Sequence, residues 1–320
     1  MTCSKSKKSL LTALTLSLCL LPLLAVNDDA GTTGFASLKN VYSARAIAMG
    51  QSLTGQTGNP DGLHFNPASI IKIDGNEVGT TYTNAFVGSQ GGQLQYLWPK
   101  NRFTAWGFAL KYLNLGLMER TEVDQNGDLV STGETFGASN IVASASLAKY
   151  ISDALDVGGT AKVIFDQIDS SSATAAMLDL GIIHHPANEK LKVGLSLRNI
   201  GFQITRYTGS DNREKLPFTF AAGMTYDFTP GLMASLEVGK ATGENIVAKA
   251  GVEYELTPAF DLRGGFRTNA SDGYNGGSLA LLSGLSLGAG WKSDRYRVDY
   301  GVSSYGDLGW INQISLSYEF

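Results

Sequence analysis

The chain has 320 residues, of which 17 % are charged, 43 % are hydrophobic and 38 are glycine, with a formal net charge of −4. Soluble globular chains carry about 25 % charged residues and about 7 % glycine. The balance excludes a disordered chain, which needs low hydrophobicity and high charge, a helical soluble domain, which loses about 1 kcal/mol per interior glycine, and a helical membrane bundle, because no run beyond residue 25 reaches about 18 consecutive apolar residues.

Residues 1–25 read as a secretory signal peptide. Lys5, Lys7 and Lys8 form a positive start, Leu10 to Leu24 an apolar stretch diluted by Ser and Thr, and Ala25 a small residue at the cut. Leu18 before Cys19 argues against lipoprotein processing. Both cysteines, Cys3 and Cys19, fall in this segment, so the remaining chain has no disulfide, thiolate ligand or cysteine nucleophile. It keeps 22 basic against 29 acidic residues, a net charge of −7, which argues against a nucleic-acid partner.

Residues 26–75 are rich in Gly, Asn and Ala and lack sustained alternation. Ser43 to Met49 can form a short helix. Asn59-Pro60-Asp61-Gly62 reads as a turn, and Asn66-Pro67-Ala68 as a helix start with Asn66 as cap and Pro67 at the first position.

From Glu77 onward the period is two. In the last segment Trp310, Asn312, Ile314, Leu316, Tyr318 and Phe320 oppose Ile311, Gln313, Ser315, Ser317 and Glu319. The same count predicts fourteen strands, at 77–88, 91–98, 102–114, 138–151, 154–168, 172–185, 190–201, 216–228, 231–241, 245–257, 259–269, 277–292, 294–304 and 308–320. Most reach the ~9–11 residues that a tilted membrane strand needs. Links after even strands are tight, at 99–101, 152–153, 186–189, 229–230, 257–258 and 293. Links after odd strands are often longer, at 115–137, 202–215, 270–276 and 305–307. Bacterial outer-membrane barrels share this even count and this asymmetry. The expected fold is therefore all-β, a transmembrane antiparallel β-barrel over 76–320 in a Gram-negative outer membrane, with both termini periplasmic and lipid as its surroundings. Trp98, Trp106, Tyr150, Phe228, Phe260, Trp291, Tyr305 and Trp310 fit interfacial girdles. Leu316, Tyr318 and Phe320 fit a C-terminal signal for the barrel assembly machinery.

The segment Tyr42-Ser43-Ala44-Arg45-Ala46-Ile47-Ala48-Met49-Gly50, followed by Asp61 and by His64-Phe65-Asn66-Pro67-Ala68, resembles the N-terminal signature of the PorV/PorQ family, outer-membrane barrels of the wider FadL-like group. Gln51 stands where the family has a second Gly, and Ser69 where it has the Gly after Ala. The resemblance implies fourteen strands with residues 26–75 as a hatch in the lumen, and Arg45, Met49, Gly50, Phe65, Asn66, Pro67 and Ala68 as its motif residues. It further implies either a role in type IX secretion or surface attachment, with translocon components or cargo sorting domains as partners, or FadL-like passive transport of a hydrophobic small molecule. The first is the leading expectation.

Enzyme motifs do not survive their context. Gly284-Leu285-Ser286-Leu287-Gly288 matches the nucleophile elbow, but that motif needs a strand, a strained turn and a helix, and here it lies within an alternating strand. His184 and His185, being adjacent on a strand, face opposite sides and share no metal readily. Asp124-Gln125-Asn126-Gly127-Asp128 resembles a calcium loop, but Thr135 occupies the position of the bidentate acid. No catalytic residue, metal or cofactor is expected. The polar strand faces carry Arg263, Arg267, Arg295, Arg297, Glu253 and Asp299, with Lys162, Asp166, Lys192, Arg198 and Lys249. Their interleaved signs predict a cross-strand ionic network filling the lumen.

Overall fold

Alternation along each strand sorts side chains onto two faces, and a sheet so patterned is stable across a membrane only when it closes, because a free edge would leave backbone donors and acceptors unpaired in lipid. A computed structural model, describing residues 31–207, 213–268 and 282–320, shows that closure. The strands are β1 (Glu77–Asn84), β2 (Gln90–Asn101), β3 (Thr104–Val123), β4 (Leu129–Ser152), β5 (Leu155–Ile168), β6 (Ser171–His184), β7 (Leu191–Thr205), β8 (Thr219–Thr229), β9 (Leu232–Ala241), β10 (Ile246–Thr257), β11 (Phe260–Arg267), β12 (Leu285–Lys292), β13 (Tyr296–Ser304) and β14 (Trp310–Glu319). Each pairs antiparallel with its chain neighbours, and β1 pairs with β14 from Glu77↔Glu319 to Asn84↔Asn312 to seal the ring.

The two faces differ as the alternation predicts. In β9, Leu236 and Val238 are half exposed on the outside, whereas Ser235 and Glu237 are each 2 % exposed inside. Outward Leu316 and Phe320 lie in β14 and just beyond it, and Tyr318 packs against Tyr296 at 4.9 Å. No helix among the described residues is long and apolar enough to cross a membrane; the strands present the apolar face instead.

Three expectations are corrected. The 115–137 loop is an extension of the β3–β4 hairpin, whose pairing continues to Val123↔Leu129 and leaves only 124–128 as the tip. Its apolar and polar residues do not alternate, and the register shifts at Asn114/Leu117 and Glu119/Thr121, so the period of two is lost although the ladder persists. Tyr305 does not join a girdle but turns inward, edge-on to Phe86 at 5.4 Å. Arg295 is not lumenal, because β13 starts at Tyr296 and Arg295 lies exposed in the preceding turn, near the Tyr318 hydroxyl at 3.4 Å. The expected signal peptide at 1–25, hatch residues 26–30, the end of strand 259–269, the loop at 270–276 and the start of strand 277–292 lie outside the described residues.

Residues 42–71 run inside the ring. They form a short helix, α1 (Ala44–Ala48), capped by the Ser43 side chain accepting from the Ala46 amide, and two 3₁₀ turns, Pro60–His64 and Pro67–Ile70, capped by Asn59 and Asn66. On one side Leu63, Ile70 and Ile71 pack on Leu97, Ala105, Ala109 and Ala148 of β2–β4. On the other sides the segment's backbone touches the wall where the wall has no side chain. A β-carbon at Gly158 would lie 2.4 Å from the Ala68 amide, at Gly194 1.9 Å from the Thr54 carbonyl oxygen, at Gly251 2.4 Å from the Met49 carbonyl oxygen, and at Gly301 2.2 Å from the Ala44 carbonyl oxygen. Gly181, Gly265 and Gly288 make comparable approaches, and Gly223 meets the Gly55 amide at 3.2 Å. The high glycine content thus serves a specific purpose: it forms a belt that lets a chain dock inside a barrel of fixed diameter.

A substitution pair tests the belt. Gly194→Ala must displace the Thr54 carbonyl and should lower the unfolding free energy by about 1–3 kcal/mol. Gly264→Ala, whose β-carbon would meet only Leu287 Cδ2 at 3.9 Å, should change it by less than about 0.5 kcal/mol. Urea unfolding of the detergent-solubilised barrel measures both; equal effects would contradict the docking role.

Candidate functional site

The lumen divides by height into an ionic layer, where the inner segment is bolted to the wall, and a chamber on the long-loop side of it. In the ionic layer Arg45 of α1 places Nε 2.7 Å from Glu253 Oε2 and Nη2 2.9 Å from Oε1, a bidentate pair, and donates from Nη1 to Gln56 at 3.1 Å. Glu253 also accepts from Arg263 Nε at 2.5 Å, and Arg263 reaches Asp299 at 2.6 Å and Asp261 at 2.9 Å. Arg297 contacts Asp299 at 3.0 Å and Asp61 of the inner segment at 3.0 Å, while Lys292 contacts Asp261 at 2.8 Å. Ser43, already the α1 cap, donates to Asp61 at 2.9 Å. Four cations therefore each face carboxylates, four at these distances and a fifth, Glu77 of β1, at 3.9 Å from Arg297, with Arg45 and Asp61 supplied by the inner segment.

Of the residues singled out from sequence, Arg45, Glu253, Arg263, Arg297 and Asp299 meet in this layer. Arg267 stands apart, buried in β11 with its guanidinium 3.9 Å from the Tyr305 ring. Asp61 was quoted only as part of the motif; its carboxylate is the bridge that sequence reading did not assign. Burial would raise its pKa, but Arg297 and then Arg45 outweigh that and hold it below the usual carboxylate range.

The other motif residues dock the segment. Asn66 is fully buried, donates from Nδ2 to the carbonyls of Thr54 and Ile182, both at 2.9 Å, and accepts from the Ala68 amide at 3.1 Å. Pro67 and Ala68 fill the gap at Gly158, and Met49 packs with Ala46, Leu53 and Phe65. Gly50 has φ +60° and Gln51 φ +63°. Gln51 thus keeps the left-handed backbone of the glycine it replaces in the resemblance, at a cost of about 1–2 kcal/mol.

The chamber is a cavity of about 530 Å³, floored by His64 and Phe65 and walled by β3, β5, β7, β10 and β11 among others. Arg198 and Lys249 lie over the Phe65 ring at 5.7 and 5.9 Å. Arg198 faces the lumen by the same parity as Ser196, and a β-bulge brings Asn199 to the same side: Leu197 pairs with Leu180 and Ile200 with Leu178, so Arg198 and Asn199 together oppose Asp179. Asn199 adopts φ +61° and donates its amide to Asp179 at 2.7 Å. His64 is held neutral, its pKa driven well below 6.5 by burial and then by Lys111 and Lys162. Beyond the inner segment lies a smaller cavity of about 170 Å³, lined by Arg45, Gln56, Glu253, Arg263 and Arg297 among others.

The discarded motifs are seated in strands and turns. Ser286 is a buried residue of β12 with no helix after it. His185 contacts Asp156 at 2.6 Å while His184 bonds the Ala154 carbonyl at 2.9 Å on the other face. Asp124 accepts from the Asn126 and Asp128 amides at 2.8 and 2.9 Å, closing a hairpin tip. Among the described residues no three His, Cys, Asp or Glu converge as a metal site.

No family model matches the chain, and no curated protein matches it. Solved structures do. The Ralstonia pickettii toluene transporter TbuX is similar at 13 % identity with a TM-score of 0.63, over 88 % of this chain and 98 % of its own. The Pseudomonas putida toluene transporter TodX is similar at 14 % identity and TM-score 0.62, over 87 % and 97 %. A Pseudomonas aeruginosa FadL homologue follows at 12 % identity and TM-score 0.60, over 88 % and 99 %. At these identities the likeness establishes the fold alone, a closed fourteen-stranded antiparallel β-barrel like those of the three structures.

The Asp61 bridge yields a pH prediction. A carboxylate with a depressed folded pKa stabilises the fold at pH above its unfolded value, here near 3.8, and loses that contribution as pH falls through the folded pKa. Asp61→Asn should therefore cost about 3 kcal/mol or more at pH 7, and the gap to the wild type should shrink below pH about 3.8. Unfolding free energies at pH 7 and pH 3 check both signs.

Proposed function

We propose that the chain is a passive outer-membrane channel for small molecules, in which the segment around residues 42–71 is the hatch. The observation that carries this is the pair of cavities, about 530 and 170 Å³, on opposite sides of a segment that plugs a closed barrel. Solute would enter from the long-loop side, rest in the chamber, and pass when the hatch yields. The fold likeness to toluene transporters and to a FadL homologue supports this reading. Residence in a Gram-negative outer membrane, with periplasmic termini and with Leu316, Tyr318 and Phe320 presented to the assembly machinery, belongs to the same proposal. The secretion reading rests on the 42–68 motif alone, and nothing in the comparisons supports it.

A reversible lock tests the hatch. A β-carbon at Gly223 would sit 3.2 Å from the Thr54 β-carbon, near the ~3.8 Å that a disulfide spans. With no cysteine after Cys19 in the natural chain, Thr54→Cys/Gly223→Cys gives a single defined bridge. In proteoliposomes, uptake of solutes ranging from toluene to arabinose should fall when the pair is oxidised and recover on reduction. Uptake indifferent to redox state would remove the hatch from the mechanism.

A further inference from the structure

The ionic layer pairs its own cations, whereas the chamber above it does not. Its wall presents Lys111, Lys162, Arg198, Lys249 and Arg267. The available carboxylates are already engaged: Lys162 pairs with Asp179 at 2.6 Å, Lys249 with Glu237 at 2.8 Å, and Lys39 at the rim with Glu244 at 2.5 Å. Lys111, Arg198 and Arg267 have no carboxylate within ion-pair distance among the described residues. Lys111 Nζ faces the Tyr42 ring at 5.7 Å. Arg198 spends Nη1 on the His64 carbonyl at 3.3 Å and leaves Nε unbonded. Arg267 is 4 % exposed, and its Nε and Nη2 have no hydrogen-bond partner among the described residues. A buried cation without a counter-charge is costly, and the fold holds one here beside a solute-sized space.

The geometry points to a binding site in this chamber for a small organic anion bearing two or more acid groups on an apolar body. Two acid groups are required because the uncompensated cations stand apart, on β3, β7 and β11, and one carboxylate cannot serve them all. The apolar body follows from what lies between them, namely Tyr42, Phe65, Leu113 and Val142. Carboxylates and phosphates offer the same bidentate oxygen pair to a guanidinium, so acid-group number, rather than type, is the selective feature. The assignment rests on the reading of this chamber as the solute's resting place, and binding is measured separately from passage.

The test is calorimetric titration of the full detergent-solubilised barrel with benzene-1,4-dicarboxylate, benzoate, the neutral dimethyl diester and inorganic phosphate. The dicarboxylate should bind about tenfold or more tighter than benzoate, weaken with added salt, and outcompete phosphate; the diester should give no heat. Arg267→Gln and Lys111→Gln should each weaken the dicarboxylate by about tenfold, while Arg267→Lys retains most of the affinity. Heat-modifiable gel migration confirms that each variant is a closed barrel. Equal affinity for the diacid and the monoacid, or unchanged affinity in both Gln variants, would overturn the site, and phosphate binding as tightly as the dicarboxylate would overturn the apolar body. Tight binding with no redox-gated uptake upholds the site and overturns passage, whereas gated uptake without acid discrimination does the reverse.

Discussion

The structure depends on a steric constraint: a chain must lie inside a barrel whose diameter is set by fourteen strands. Side chains alone fill a barrel of about eight strands; fourteen enclose a wider lumen, which the inner segment occupies. The wall gives up side chains where the inner segment passes, on β5 through β8 and on β10 through β13, with one glycine from each strand meeting backbone or a short side chain. β9 is the exception, and it shows the rule from the other side: Ser235 stands at that level and bonds Ser52 Oγ at 2.6 Å. The segment's path, the caps that shape it and the charges that pin it are all consequences of this contact distance.

Charge is then partitioned by depth. Where the segment meets the wall, the ions are largely buried and each needs a partner, so Arg45 and Asp61 complete sets that β10, β11 and β13 leave unfinished. Above it, in the open chamber, cations remain uncompensated. The same alternating pattern thus yields a paired ionic bolt at one height and a positive field at another.

Much of this was legible in the sequence. Strand positions follow from period two because lipid outside and polar lumen inside impose opposite demands on successive residues. The caps at Ser43, Asn59 and Asn66 follow from residue type and position. What was not legible has identifiable causes. The outer half of the β3–β4 hairpin rises beyond the zone where the outer face must be apolar, so Glu119, Arg120 and Thr121 hide a continuing ladder. Arg295 shows that parity fails at a strand end, where a turn resets the face. The β7 bulge breaks parity internally and turns Arg198 and Asn199 to the same side. The division of the charges into two layers needs cross-strand register, which fixes height and which no single strand records.

Register also determines how the hatch can move. Its ion pairs within 42–71 fall on β10 and β13, where Arg45 grips Glu253 and Arg297 grips Asp61, and just past it Lys72 contacts Asp156 of β5 at 3.3 Å. Opposite, on β2–β4, it is held by Leu63, Ile70 and Ile71 against Leu97, Ala105, Ala109 and Ala148. Breaking a buried ion pair leaves two bare charges and costs about 3–5 kcal/mol; separating apolar surfaces costs in proportion to area, about 25 cal/mol per Å², and can proceed gradually. In the proposed hatch, the apolar seam on β2–β4 is therefore the side that parts at the lower cost, next to Lys111 of β3, one of the chamber's uncompensated cations.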